Sequence, residues 1–391
     1  MRHKPLPTQT DLLLPLLQSV EAAGGSARPA EVYDDVATRL HLDEETRNAT
    51  ARVGNQNVNV FERHVRWTRQ LAVFRGYLQS SQRNLWELTD AGNATLRNAR
   101  RGTIVTVFEA PNGVLLWANA EDAVASIEAE SVDAIVTSPP YPLLRQKDYG
   151  NSASCQWLDE MLRNAESWRA LLAPTGSLFL NLGPCWTPGQ PTQDPYIARL
   201  TIAMIDQLGY HLAQELQWHS PSRLPAPVEW VCLRRVRLKQ TTETILWFAT
   251  TPNPKANNRN VLVPYSDSMR KLMARGQKKA SRPSGWGISE KFGNDNGGAI
   301  ASNLIVAPNS SSNDAYRRAC RANGENPHPA TFPEAIPKFL IELSTSPGDL
   351  VADFFAGSAT TCKVAHDLGR RFIGVERSYT YLQAALHRFA A

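Results

Sequence analysis

Hydrophobic positions along the chain fall into two textures. In the first hundred residues Leu12, Leu13, Leu16 and Leu17 recur at helical spacing, a Gly24-Gly25 turn follows, and the stretch from Pro29 to Leu40 repeats the helical pattern. A third run, Val60 to Leu78, places apolar residues at i, i+3, i+4 and i+7 and ends near Gly76. Leu85, Glu87 and Thr89 then alternate as a short strand before Ala91-Gly92 opens a last helix. From about residue 103 the pattern becomes strand–helix alternation. Val114–Trp117, Val132–Thr137, Ser177–Leu182 and Thr244–Ala249 read as strands, and Ala120–Ile127, Trp157–Leu172 and Tyr196–Leu208 as helices. The pattern breaks down between 252 and 327, in a stretch rich in Asn, Ser, Gly, Pro and Arg. It resumes with a helix over Phe332–Leu343, a strand over Leu350–Phe355, a helix over Ala359–Leu368 and a strand over Arg371–Glu376.

Two domains follow from this. Residues 1–100 have the element order of a winged helix, which serves DNA contact or dimerisation. Residues 103–391 predict an α/β domain with a doubly wound, mostly parallel sheet, because buried apolar strands alternate with helices. An irregular stretch as long as 252–327 inside such a domain predicts a functional loop region rather than a connector.

Composition changes the picture little. The 391 residues are 42% hydrophobic and 20% charged with a net charge of +5, an ordinary globular balance that suits a polyanionic partner without requiring one. Five cysteines (Cys155, Cys185, Cys232, Cys320, Cys362) show no CxxC pairing, which argues against zinc sites and a disulfide framework. No apolar run reaches membrane-spanning length. A cytoplasmic protein without a metal is the expectation.

Two motifs carry chemistry. The first is Ser138-Pro139-Pro140-Tyr141, directly after the strand 132–137. An aromatic exocyclic amine is a poor nucleophile because its lone pair is delocalised into the ring. Acceptors aimed at its two N–H bonds draw it toward sp³ geometry, and a serine hydroxyl and the Pro139 carbonyl supply them. The prolines remove competing donors and stiffen the corner, and Tyr141 can stack on an extruded base. Read alone, the tetrapeptide could equally be a rigid strand exit. The second motif is Asp353-Phe354-Phe355-Ala356-Gly357-Ser358 between a strand and a helix, with Glu376 closing the next strand. A glycine turn, a helix N-terminus and an acidic strand end make a nucleoside-cofactor site, in which the acid holds ribose hydroxyls, although such turns also serve packing alone. Both motifs sit at strand ends of one domain, one suited to a methyl acceptor and the other to a methyl donor.

Together these residues resemble the amino-directed DNA methyltransferases. The order of the motifs resembles their circularly permuted β group, in the subgroup of type II restriction–modification enzymes. Ser281–Phe292, Asn296-Gly297-Gly298 and His328–Pro333 add to the likeness, which spans about 112–390. The N-terminal domain is similar to that of Mrr-type restriction proteins. The resemblance implies S-adenosylmethionine as cofactor and double-stranded DNA as substrate. It implies that Phe355 and Gly357, with Ala356 and Ser358 in the same turn, line the cofactor, and that Asp353 lies near its methionine amine. Glu376 would hold the ribose, Asp122 would sit near the adenine and His328 at the methionine end, while Ser138, Pro139, Pro140 and Tyr141 would hold the base and 252–327 would read the target. Serine at 138 is the family's usual sign for cytosine N4, with adenine N6 left open. Phe354 and Ala359 stand where relatives often carry proline and glycine, and a helical residue 359 would tolerate its Cβ.

Arg234, Arg235, Arg237 and Lys239, then Arg270, Lys271, Arg275, Lys278, Lys279 and Arg282, then Arg317, Arg318 and Arg321 cluster between the motifs, as phosphate contact requires. Trp218 and His219 read as packing. Rival readings are methylation of an RNA base or a protein amide, and a non-catalytic winged-helix regulator. The resemblance further implies a bacterial or archaeal type of protein associated with the nucleoid, leaves room for a cognate endonuclease acting without direct contact, and is compatible with a monomer or homodimer.

Overall fold

Period-two alternation sorts the side chains of the central strands onto two buried faces. Leu115 and Trp117, Ala134 and Val136, Phe179, and Ile245 and Trp247 fall in one apolar cluster. Their neighbours Leu116 and Ala118, Ile135, Leu178 and Leu180, and Leu246 and Phe248 fall in the other. A sheet buried on both faces needs helices on both, and it has them. Trp157, Met161 and Trp168 of helix Ser154–Leu171 and Leu200 and Met204 of helix Tyr196–Asp206 cover one face. Helices Ala335–Ser344, Thr360–Asp367 and Tyr379–Ala385 cover the other.

The computed structural model describes residues 9–40, 42–99, 101–142, 154–275, 287, 289–309, 314–325 and 327–390. Its principal sheet has nine strands, in the order Leu304–Val306, His211–His219, Thr242–Ala249, Leu172–Leu182, Val132–Thr137, Leu350–Asp353, Arg371–Glu376, Gly113–Ala118 and Ile104–Ala110. The run from Leu172–Leu182 to Gly113–Ala118 is parallel, and antiparallel pairings join Thr242–Ala249 and Ile104–Ala110 to its ends. Strand Leu350–Asp353 lies between the acceptor strand Val132–Thr137 and the acidic strand Arg371–Glu376, so both motifs emerge side by side.

Three strands of this sheet were not evident in the sequence. Ile104–Ala110 and Leu304–Val306 are edge strands with few buried positions, and the first half of His211–His219 is exposed on both faces. The stretch 252–327 also holds more structure than its composition suggests. Besides Leu304–Val306 it contains helix Asp267–Arg275 and helix Ala315–Ala322, the latter capped by the Asp314 carboxylate accepting from the Arg317 amide at 2.7 Å. That helix buries only Tyr316 and Cys320, one turn apart, too little for a visible period. Lys278, Lys279, Arg282 and the rest of the segment 281–286 lie outside the described residues.

The N-terminal part carries helices Gln9–Ala22, Pro29–Arg39, Val60–Phe74 and Asp90–Arg97. Strands Ser26–Ala27, Trp86–Leu88 and Leu78–Gln79 lie side by side in that order. A short helix Glu44–Asn48 and a polar hairpin, Thr50–Val53 with Gln56–Asn59, are inserted before the third long helix. This part meets the rest of the chain at helix Tyr379–Ala385, which helix Asp90–Arg97 contacts, and Leu12, Leu16 and Val20 belong to the same apolar cluster as Tyr379 and Leu382. The Arg377 carbonyl accepts from the Ala99 amide at 2.5 Å and from the Trp117 indole at 2.8 Å. No helix among the described residues is long and apolar enough to cross a membrane.

Candidate active site

The two motifs meet in one cavity of about 370 Å³ at the carboxyl ends of the parallel strands. They are also joined directly: Thr137 Oγ1, one residue before Ser138, donates to Asp353 Oδ1 at 2.7 Å. Ser138, Pro139, Pro140 and Tyr141 line one end of the cavity. Phe355, Ala356, Gly357, Ser358, Glu376 and His328 line the other.

Two residues expected at the cofactor are not part of the lining. Asp353 is 2% exposed and accepts from Thr137 and from the Phe355 amide at 3.1 Å, so its carboxylate shapes the turn from below. Asp122 accepts from the Gly102 amide at 2.9 Å and from Asn119 Nδ2 at 3.1 Å, where it ties the interdomain connection to the start of helix Ala120–Ala123.

At the donor end both oxygens of the buried Glu376 are held by backbone. Oε2 accepts from the Gly357 amide at 2.8 Å and Oε1 from the Ser378 amide at 2.7 Å. Each oxygen keeps lone-pair capacity toward the cavity. Burial raises the Glu376 pKa, with the two amides opposing the shift. Gly357 has φ +52°, and a Cβ there would lie 3.2 Å from the His328 ring, so the glycine keeps a cradle open that any side chain would fill. Phe354 stacks on Trp168 with centroids 5.1 Å apart. Ala359 is not helical, contrary to expectation. It sits just before helix Thr360–Asp367 at φ +54°, a left-handed conformation that costs a non-glycine residue about 1–2 kcal/mol.

The acceptor end holds residues that motif reading missed. Tyr141 hydroxyl donates to Glu243 Oε2 at 2.9 Å and lies 3.1 Å from Ser138 Oγ, which donates to the Asn181 carbonyl at 3.1 Å. Asn181 Nδ2 donates to Glu243 Oε2 at 2.6 Å, and Arg223 Nη2 pairs with Glu243 Oε1. Asn181, Arg223 and Glu243 all line the cavity, as does Trp218, which the sequence suggested was packing alone. Gly183 leaves room for the Tyr141 ring, 2.5 Å from where its Cβ would stand. Trp157 Nε1 holds the Pro140 carbonyl, whereas the Pro139 carbonyl accepts no hydrogen bond among the described residues. Asn181 Oδ1 is buried and has no hydrogen-bond partner among the described residues. A buried acceptor left open needs a reason, and a donor-bearing ligand supplies one. The signal for Asn181 and Glu243 was an amide or acid in a largely apolar strand, in Ser177-Leu-Phe-Leu-Asn-Leu182 and Glu243-Thr-Ile-Leu-Trp-Phe248.

Titration at the site yields a prediction. Burial pushes Asp353 up to about 6 against hydrogen bonds from Thr137, Thr361 and the Phe355 amide, and burial draws His328 down to about 4. Asp353 binds its proton more tightly folded than unfolded. Its stabilising contribution is full below the usual 3.8 and is lost as the pH rises through about 6. His328 binds its proton less tightly when folded, so its contribution is full above 6.5 and is lost as the pH falls through about 4. Melting curves between pH 4 and 7 should therefore diverge in opposite senses. The advantage of wild type over Asp353→Asn shrinks as the pH rises, and its advantage over His328→Gln grows. Parallel curves for all three proteins would show that neither group titrates as its burial dictates.

Similarity to known proteins covers the stretch that holds both motifs. The family described as DNA methylase matches residues 132–387, and the Mrr N-terminal domain matches residues 10–98. The type II methyltransferase M.PvuII of Proteus hauseri is 39% identical over 285 residues, covering 72% of this chain and 85% of that protein. The type II methyltransferase M.BglII of Bacillus subtilis is 27% identical over 262 residues, 66% of this chain and 64% of that protein. A solved structure described as PvuII DNA methyltransferase (cytosine-N4-specific) superposes with a TM-score of 0.60 at 33% identity, covering 73% of this chain and 88% of that one.

Proposed function

The chain belongs to the DNA methylase family, and from that premise we propose that it transfers a methyl group from S-adenosylmethionine to N4 of a cytosine extruded from double-stranded DNA. The observation that carries this reading is the single cavity with a base-holding corner at one end and a carboxylate-bearing glycine turn at the other. Cytosine rather than adenine is supported by the 33% identity to the cytosine-N4-specific structure. The residues fit the cofactor: the cradle that a Cβ at 357 would fill and the two open faces of Glu376 suit a ribose between them.

When bound, the cofactor supplies an electrophilic methyl carbon. The protein prepares the other partner. Ser138 Oγ and the Pro139 carbonyl accept from the two N–H bonds of the cytosine amine and localise its lone pair on nitrogen. Tyr141, fixed by Glu243 and the space above Gly183, supports the base. Once substituted, the nitrogen sheds a proton. Ser138 takes it as its own proton passes to Tyr141 and that of Tyr141 passes to Glu243, along contacts of 3.1 and 2.9 Å. His328 is neutral above pH 4, so it stands beside a cationic ligand without repulsion.

The finer assignments belong to the same reading. The motif order supports the permuted β group, and a type II restriction–modification setting follows from the relatives' names. The strand order of the N-terminal sheet and helix Val60–Phe74, with Arg63, Arg66 and Arg69, support a winged helix that contacts DNA. Residues 1–100 and 103–391 are then the two domains, with 252–327 reading the target. Labelled methyl groups from S-adenosylmethionine should appear in duplex DNA as N4-methylcytosine after nuclease digestion. N6-methyladenine would overturn the choice of base, and no incorporation on any DNA would overturn the enzyme.

A further inference from the structure

Between strands His211–His219 and Thr242–Ala249 the chain makes a long excursion, residues 221–240, closed at its base by the Ser220 amide donating to the Thr241 carbonyl at 2.8 Å. Its root belongs to the cavity: Arg223 and Glu243 line the acceptor end. The excursion is folded. The Val231 amide bonds the Pro227 carbonyl at 3.0 Å, the Arg234 amide the Glu229 carbonyl at 2.8 Å, and the Val236 amide the Trp230 carbonyl at 2.9 Å. Arg237 anchors its far end, stacked 3.7 Å over the Trp186 ring.

This ordered segment exposes five aliphatic side chains. Leu224 is 81% exposed, Val228 58%, Leu233 74%, Val236 61% and Leu238 90%. So concentrated an apolar display on a soluble surface marks a contact site. Interleaved with it are Arg234, Arg235, Arg237 and Lys239, and the segment's one acid, Glu229, is paired with Arg234 at 3.2 Å. A second copy of the chain would bring the same cations against these, whereas a polyanion neutralises them.

We propose that segment 221–240 enters the duplex at the target position, its aliphatic side chains filling the space the extruded base leaves while its arginines and lysine hold the flanking phosphates. The occupant is duplex DNA with one base displaced. Apolar wedges recover part of the unstacking cost by occupying the gap, and cations beside them fix the register. Rooting the wedge on Arg223 and Glu243 couples its entry to the cavity that receives the base. This inference rests on the methyltransferase reading and adds the element that extrudes the substrate.

The test uses the full chain and an oligonucleotide duplex carrying its site, mapped by sequencing modified DNA, beside the same duplex with the target cytosine mispaired. The triple variant Leu233→Ser, Val236→Ser, Leu238→Ser should lose about thirtyfold in kcat/KM on the paired duplex but no more than about threefold on the mispaired one, where the base is already loosened. Equal losses on both, or none on the paired duplex, would overturn the proposal. A second measurement does not depend on turnover. Cys232 is an exposed free thiol within the segment, and its alkylation, read by peptide mass spectrometry, should slow at least about tenfold with duplex DNA and little with heparin, because only the duplex covers the apolar side chains. Unchanged alkylation with duplex would also overturn it. A wild-type protein that methylates no DNA but shields Cys232 with duplex would refute the enzyme and leave the docking surface standing.

Discussion

Replacing Ser138 with alanine should lower turnover by about 10²–10³-fold, the usual effect of removing one preorganised group from a charge-developing centre, while the affinities for DNA and cofactor stay within a small factor. The hydroxyl does two things that methyl cannot. In the proposed mechanism it accepts from the target amine and opens the path through Tyr141 to Glu243. Both matter most when the nitrogen becomes cationic, so the loss falls on kcat rather than KM. Single-turnover rates with saturating DNA and cofactor check this. A Ser138→Ala protein that turns over within about threefold of wild type would remove the acceptor role, since no neighbouring group replaces a preorganised acceptor so completely. Tyr141→Phe, which keeps the ring but cuts the path to Glu243, should fall between the two.

Glu376→Ala should produce the opposite kinetic pattern. Its carboxylate satisfies the Gly357 and Ser378 amides at 2.8 and 2.7 Å and faces the cavity with its remaining lone pairs. With the ribose held there as proposed, truncation removes charged hydrogen bonds worth about 1.5–3 kcal/mol each, and it strands two buried amides at about 1–3 kcal/mol each. The cofactor dissociation constant should rise by about 10²–10³-fold, and melting should move down by several degrees without any ligand. Calorimetric titration with S-adenosylmethionine measures the first, and Glu376→Gln should lie partway because it keeps the shape and one acceptor. Unaltered affinity in Glu376→Ala would place the ribose elsewhere in the cavity.

Both residues are legible in the sequence because each stands at the end of a largely apolar strand. Val132–Thr137 and Arg371–Glu376 are buried almost along their length, and a polar residue at such a terminus stands out. Asn181 and Glu243 obey the same rule less openly: they lie within strands, and nothing local says that one face of those strands opens into a cavity. Arg223 lay in a stretch with no period and could be placed only by its ion pair with Glu243 across the strand connection. Asp122 and Ala359 show the converse. Position in a motif suggested a cofactor neighbour and a helical residue, but side-chain direction and φ depend on packing that spacing does not encode. Edge strands such as Ile104–Ala110 stayed hidden because half-exposed positions carry little hydrophobic pattern.

The Arg377 carbonyl, which takes one proton donor from each half of the protein, has a corollary for anyone dissecting it. That carbonyl directly follows Glu376, and the helix beyond it gives Tyr379 and Leu382 to the apolar cluster that holds Leu12 and Leu16. A fragment begun at residue 103 would bare this patch and unfasten the chain beside the Glu376 carboxylate. On the proposed reading the halves are thermodynamic partners: a nucleoside that steadied the glycine turn would also tighten the grip on the first hundred residues, and loosening that grip would weaken the nucleoside in equal measure.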